Sequence, residues 1–424
     1  MDLFTPRDGR LFCEEVPLDT IAGEYGTPTY VYSRGTLASH FTRLNQALDE
    51  LEHTICYAIK ANGNLAVLAC MAELGAGFDI VSGGELYRVI AAGGDPRKAV
   101  FAGVGKTADE IRFAIDNDVL FFTVESEEEL QRISAIAQDA GKIARYSVRV
   151  NPDVDACTHH YITTGKSENK FGLSFDAARA LYARATALPA VKAVGVHMHI
   201  GSQIVTTDPF VAAINRLSGL VQELRADGVE VEYIDIGGGM GIIYKDEQPP
   251  TPDRFAAAVV PLLKELDAQV LFEPGRFLVG NAGVLLTTVQ YVKRTATKTF
   301  VIVDAGMNDL IRPALYEAYH EILPVNARSG DMTAVDVVGP ICESGDFLAL
   351  DRVLPPVSAG DCLAVRSAGA YGFVMSSNYN SRPRAAEVMV DGCTARLVRR
   401  RESWQDLVAP ECACLDSEQS PVNA

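Results

Sequence analysis

The chain has 424 residues, of which 48% are hydrophobic, more than one core holds, so two globular domains are expected. Its 38 basic and 55 acidic residues leave a formal charge of −17, which repels nucleic acid and anionic membrane surfaces, so neither is expected as a partner. No apolar run reaches the length of a membrane span, and the start "MDLFTPRDGRLF" has neither the basic nor the apolar region of a signal peptide. The nine cysteines are odd in number and scattered, which predicts reduced thiols in a cytoplasmic protein. Cys412 and Cys414 lack a second pair or a nearby histidine, so no metal site is expected.

Along the chain, short strand-like runs alternate with stretches of helical periodicity. The strand candidates are "TICYAIKAN" (54–62), "GFDIVS" (77–82), "AVFAGVG" (99–105), "LFFTVE" (120–125), "ARYSVRVNP" (144–152), "VKAVGVHMHIGSQ" (191–203), "VEYIDIGGGMG" (231–241) and "AQVLFEPGR" (268–276). Eight strands with helices between them predict an α/β fold of the (β/α)8-barrel type over residues 28–280. Beyond Arg276 the texture turns β-rich with turn residues, as in "GVLLTTVQYVKRTATKTFVIVDAG", which predicts a second, mostly β domain over 281–410. Residues 1–27 are expected to pair with that domain, and 411–424 to form a frayed tail. The stretch "DACTHHYITTGKSENKFG" (155–172), between the fifth strand and the next helix, is long enough for an active-site lid, with His159 and His160 read as solvated.

In such a barrel, chemistry collects where strands end. The unusual residues fall there: Lys60 and Asp79 at strands one and two, His197 and His199 on strand six, Gly237 to Gly239 after strand seven, and Glu273 and Arg276 after strand eight. Each alone has a bland reading, and their joint placement carries the argument. A lysine in a dry barrel mouth suits Schiff-base chemistry toward a carbonyl, whether of a substrate or of pyridoxal phosphate. The glycine run offers successive backbone N–H groups as an anion cradle and Ser202 adds a hydroxyl, which selects the phosphorylated cofactor. A carboxylate would keep the pyridine nitrogen protonated, and Glu273 is the candidate, with His199 against the ring face.

Two other motifs fail on inspection. "VFAGVGKT" ends like a phosphate-binding P-loop, but Val100 stands where its first glycine must be. "GGGMGI" places Ile242 at the last glycine of the dinucleotide turn and does not open a βαβ unit.

"YAIKAN", "GFDIVSGGEL", "HIGSQ", "IGGGMGI", "EPGR", "GPICESGD", "AGAYG" and "YNSRPRAAEV" follow in order over nearly the whole chain. Together they resemble the alanine-racemase-fold (fold type III) decarboxylases that use pyridoxal 5'-phosphate. The resemblance implies an N-terminal barrel, a C-terminal β domain and a homodimer with active sites at the subunit interface. It makes Lys60 the Schiff-base lysine, His199 the ring-stacking histidine and Glu273 the pyridine-nitrogen partner. Asp79, Ser202, Gly238, Gly239, Gly275 and Arg276 then lie around cofactor and substrate. Cys342 and Glu343 resemble a proton donor and a substrate-amine contact supplied by the partner subunit, and Tyr371 a tyrosine touching both cofactor and substrate.

Substrate choice rests on "IRPALYEAYH", where Arg312 and Tyr316 match the positions that, with Arg276, hold a distal carboxylate. The implied reaction converts meso-2,6-diaminopimelate to L-lysine and carbon dioxide. Carboxynorspermidine, which also carries a carboxylate, is the alternative substrate. A racemase of the same fold would favour arginine over Glu273, and an inactive binding homologue would be expected to lack Lys60 or Cys342.

Overall fold

The computed structural model describes residues 2–154 and 171–418, with side chains through 415. It divides into two compact units, Leu37–Gly280 and a second unit made of Met1–Thr36 with Asn281–Ala424. The expected lid with His159 and His160 falls outside the described residues, save for Phe171 and Gly172.

Within Leu37–Gly280, eight parallel strands close into a barrel: β1 His53–Ala58, β2 Gly77–Ile80, β3 Ala99–Phe101, β4 Phe121–Val124, β5 Ala144–Val150, β6 Val191–Met198, β7 Tyr233–Asp235 and β8 Gln269–Phe272. They neighbour one another in chain order and β8 pairs with β1, as the alternating sequence pattern predicts. Four of the intervening helices start on side-chain caps of one kind: Ser82, Thr107, Ser126 and Ser174 each accept a backbone N–H three residues on, and Thr107 completes a reciprocal box with Glu110. Cys56, Val100, Phe121, Val194 and Leu271 come from five strands into one buried apolar cluster. A bulge in β6 between Ala193 and Gly195 inserts Val194 as an extra residue. That extra residue lets both Val194 and His197, an odd number of positions apart, serve the interior, which an unbroken period of two forbids.

The other unit is mostly β. Its large sheet runs β13 (Phe347–Leu354), β12 (Thr333–Val338), β10 (Thr299–Val303), β9 (Gly283–Arg294), then Thr29–Ser33, β15 (Ala386–Asp391) and β16 (Thr394–Arg399), while β14 (Cys362–Val365) pairs with both β9 and β11 (Ile322–Pro324). Where the sequence reading began the barrel at residue 28, Thr29–Ser33 instead lies between β9 and β15 with every residue buried, and the barrel unit starts at Leu37. Phe4, Leu11, Leu18 and Val31 pack with Val284, Leu286, Val388 and Val390 in one core. The residues after Pro410, expected to fray, continue a helix over Trp404–Glu418. A reciprocal cap starts it: Asp406 Oδ2 accepts from Ser403 N–H at 2.7 Å and Asp406 N–H donates to Ser403 Oγ at 3.2 Å.

Candidate active site

Lys60 sits in the single turn Ile59–Ala61 directly after β1. The β1–β2 register sets Ala58 beside Asp79, so the ammonium two residues later reaches Oδ2 of that acid and pairs with it. Asp79 has no solvent exposure, and its Oδ1 has no hydrogen-bond partner among the described residues. Burial and the nearby Glu273 push its carboxyl above the usual range, and Lys60 pulls it partly back.

Across the barrel, β6, β7 and β8 deliver His197, Asp235 and Glu273, one donor atom from each lying within 4.8 Å of the others. His197 and Asp235 are neighbours in register, and His197 Nε2 is 3.3 Å from Glu273 Oε2. Burial alone would raise Glu273, but His197 and Lys60 outweigh it and hold the carboxyl well below its ordinary value. Asp235 goes the other way: burial and the charge on Glu273 push it well above the carboxylate range. Glu273 Oε1 is buried and has no hydrogen-bond partner among the described residues.

His199 follows β6 and accepts the N–H of Gly238 on Nδ1 at 3.2 Å, which leaves the ring proton on Nε2. Burial, Arg149 and Lys60 push its imidazole down to about 3, so it is neutral at physiological pH. The glycine run therefore works differently from the expected cradle of free donors. Gly237 N–H binds Asp235 Oδ1 at 2.8 Å and Gly238 N–H binds His199, so these two donors orient site side chains. The glycines are also needed for space: a Cβ on Gly238 would lie 2.2 Å from the carbonyl oxygen of Glu273, and Gly239 has φ +108°. Arg276 is 7% exposed and donates to Tyr244 Oη at 2.6 Å and to Ser202 Oγ at 3.1 Å. Gly275, just before it, is closely covered by Ala58 and Ala61.

A family profile described as "Pyridoxal-dependent decarboxylase, pyridoxal binding domain" matches residues 34–280. A diaminopimelate decarboxylase from Pseudomonas aeruginosa is 55% identical over 411 residues, 97% of this chain and 99% of that one. A second, from Vibrio cholerae, is 52% identical over 413 residues with the same coverage. Among solved structures, the diaminopimelate decarboxylase from M. jannaschii in co-complex with L-lysine has a TM-score of 0.92 at 38% identity, covering 97% of this chain and 98% of that one. The Helicobacter pylori enzyme complexed with L-lysine has a TM-score of 0.90 at 40% identity, covering 94% and 100%.

The chain belongs to the pyridoxal-dependent decarboxylase family.

The decarboxylase barrel fits pyridoxal 5'-phosphate on its own geometry. It offers one lysine paired to a buried acid, an ionised carboxylate with an unpartnered oxygen for a ring N–H, a neutral imidazole, and Ser202 with Arg276 for an anion. Three contributors escaped the sequence reading. Tyr244 anchors Arg276, Asp235 lies beside Glu273 and accepts the Gly237 N–H, and Glu85, whose carboxyl burial raises to about 7, accepts the Val81 N–H at 2.7 Å. An acid inside the apolar run "YIDI" was the one available signal for Asp235.

In the β-rich unit of the decarboxylase, Arg312 and Tyr316 bound the short helix Arg312–Tyr316. Arg312 is 6% exposed and Tyr316 half-buried. Cys342 and Glu343 are exposed on one loop, which Asp346 holds by accepting the N–H groups of Ile341 and Met307 at 2.6 Å each. Cys342 N–H donates to Asn380 Oδ1 at 2.8 Å. Tyr371 is half-buried, with φ +55°.

Proposed function

We propose that the chain decarboxylates meso-2,6-diaminopimelate to L-lysine and carbon dioxide, the last step of lysine biosynthesis. The observation that carries the substrate is Arg312, a guanidinium buried within the β-rich unit, where a planar fork suits a carboxylate that is not lost in the reaction. Relatives about half identical over nearly the full chain carry the name of that activity, which supports the reading.

Pyridoxal phosphate, when bound, supplies an electron sink for the pair left as carbon dioxide departs. Lys60, paired with Asp79, would hold the cofactor through its amine. Glu273, held low by His197, would keep a proton on the ring nitrogen, and neutral His199 would help hold the ring. Ser202, Gly239, Gly275 and Arg276 would meet the phosphate side, and Arg312 and Tyr316 would orient the retained carboxylate. Glu343 meets the substrate amine and Tyr371 both partners.

Cys342 is the acid that returns a proton to the carbon that lost its carboxylate. An exposed thiol is a poor place for that step, because water reaches the same carbon. A second copy of the chain covering this loop removes the difficulty, which supports a homodimer whose sites are shared between subunits. The cytoplasm, where thiols stay reduced, suits the free cysteines, and among the described residues no helix is long and apolar enough to cross a membrane.

The test is incubation of the cofactor-loaded protein with meso-diaminopimelate and, separately, with carboxynorspermidine, following carbon dioxide and the amine product. Lysine formed from the first with little turnover of the second is expected. Preference for carboxynorspermidine would overturn the substrate assignment.

A further inference from the structure

Arg312 does not hold its place by backbone alone. His320, with no solvent exposure, sits 3.2 Å away through Nε2. A guanidinium has no acceptor, so Arg312 Nη1–H donates and the Nε2 lone pair accepts. The other ring nitrogen, Nδ1, is 2.9 Å from the carbonyl oxygen of Arg366, which can only accept, so Nδ1 carries the hydrogen. These two partners specify a single neutral tautomer.

The histidine is itself fixed from three directions. The antiparallel pairing of β11 with β14 sets Ile322 beside Val365, which brings His320 alongside Arg366. Arg366 N–H donates to the Glu321 carbonyl at 2.8 Å, extending that ladder by one bond. Arg352 donates to the His320 carbonyl at 2.5 Å and lies over the Tyr319 ring at 4.0 Å. A buried imidazole held this way is a rigid acceptor, whereas an acid in its place would neutralise the guanidinium and compete with a bound carboxylate.

We infer that His320 is a positioning residue for substrate recognition: it fixes the Arg312 guanidinium that meets the retained carboxylate. The inference rests on the reading of Arg312 under Proposed function. It adds a residue that touches neither cofactor nor substrate and that sets discrimination between carboxylate-bearing and plain diamines.

The test titrates L-lysine, and 1,5-diaminopentane as its carboxylate-free counterpart, calorimetrically into the cofactor-loaded full chain, beside KM and kcat for meso-diaminopimelate. His320→Asn keeps a donor for the Arg366 carbonyl but falls short of Arg312. His320→Gln places an amide oxygen where Nε2 stood. His320→Asn should weaken L-lysine by about tenfold and raise KM similarly, with kcat and diamine binding little moved, and His320→Gln should recover most of the loss. Equal weakening of both ligands, or of neither, would overturn the positioning role. Arg312→Gln is the separate control: L-lysine binding lost there with His320→Asn unaffected refutes the inference alone, and L-lysine bound as in the parent chain refutes the carboxylate reading beneath it.

Discussion

His197 Nε2 lies 3.3 Å from Oε2 of Glu273, and both side chains are buried, His197 on β6 and Glu273 just past β8. With Asp235 between them on β7 they form a unit in which one carboxyl is pushed up and the other held down. Glu273→Gln removes the charge while keeping the shape, so the chain should still take up cofactor but decarboxylate at least about a hundredfold more slowly. Single-turnover measurement of carbon dioxide release checks this, and a rate within a few-fold of the parent would remove Glu273 from the chemistry.

Lys60→Ala should fold, since the lysine side chain is 38% exposed and its removal leaves a carboxyl already displaced toward its neutral form. Borohydride treatment fixes cofactor on the parent chain through this amine. Mass spectrometry of the treated variant should find no attached cofactor, and attachment at another lysine would refute the assignment.

His199 gives a pH dependence whose sign is set by the proton count. The unfolded chain protonates this imidazole near 6.5, but the folded one only near 3. Between these values the unfolded state binds the extra proton, so the His199 contribution is complete above about 6.5 and is lost as pH falls. Between pH 7 and pH 5 the cofactor-free His199→Gln chain should therefore lose less stability, or gain more, than the parent. Glu85, raised to about 7, acts in the opposite sense: the folded state binds its proton more tightly, so stability falls as pH rises toward 7. Glu85→Gln should gain most stability over the parent at pH 8, and denaturant melts at the three pH values would expose either sign error.

Gly238→Ala tests the close approach of two strand ends. The added methyl would stand 2.2 Å from a backbone oxygen of the residue that carries Glu273, which cannot swing aside. A cost of about 1–3 kcal/mol is expected from forced backbone shifts, together with weaker cofactor binding because Glu273 moves. Thermal melts and a cofactor titration measure the two effects, and parent-like values in both would show that the strands have room to part.

A shared active site predicts complementation. Lys60→Ala and Cys342→Ala chains, each inactive alone, should recover about a quarter of parental activity when mixed one to one and allowed to exchange, because half the dimers then own one intact site of two. Activity that stays at background after exchange, verified by mass tags, would place both residues in the same subunit's site.

Much of the barrel was legible because its strands are short apolar runs and its helices repeat apolar residues at helical spacing, signals that act over a few residues. Lys60 and Glu273 were legible for a related reason: a charged side chain closing an apolar strand is costly unless it is used, and both stand one or two residues past a strand end. The barrel span was begun too early, at residue 28, because nothing local says which sheet the buried run Thr29–Ser33 joins, and only pairing with Gly283–Leu286 and Ala386–Val390 assigns it.

What the amino-acid order could determine by itself was which residues are expensive and where along each element they fall. What only the tertiary structure decided was which expensive residues meet. His197 reaches Glu273 because a bulge in β6 changes the phase of the strand, and Asp235 is pushed up because parallel pairing sets β7 beside β8 and the Glu273 that follows it. The His320 ring that meets Arg312 is held by the distant Arg366 carbonyl. Such contacts depend on register and closure between segments distant in sequence, and the charge state of a buried group is fixed by neighbours that no local pattern specifies.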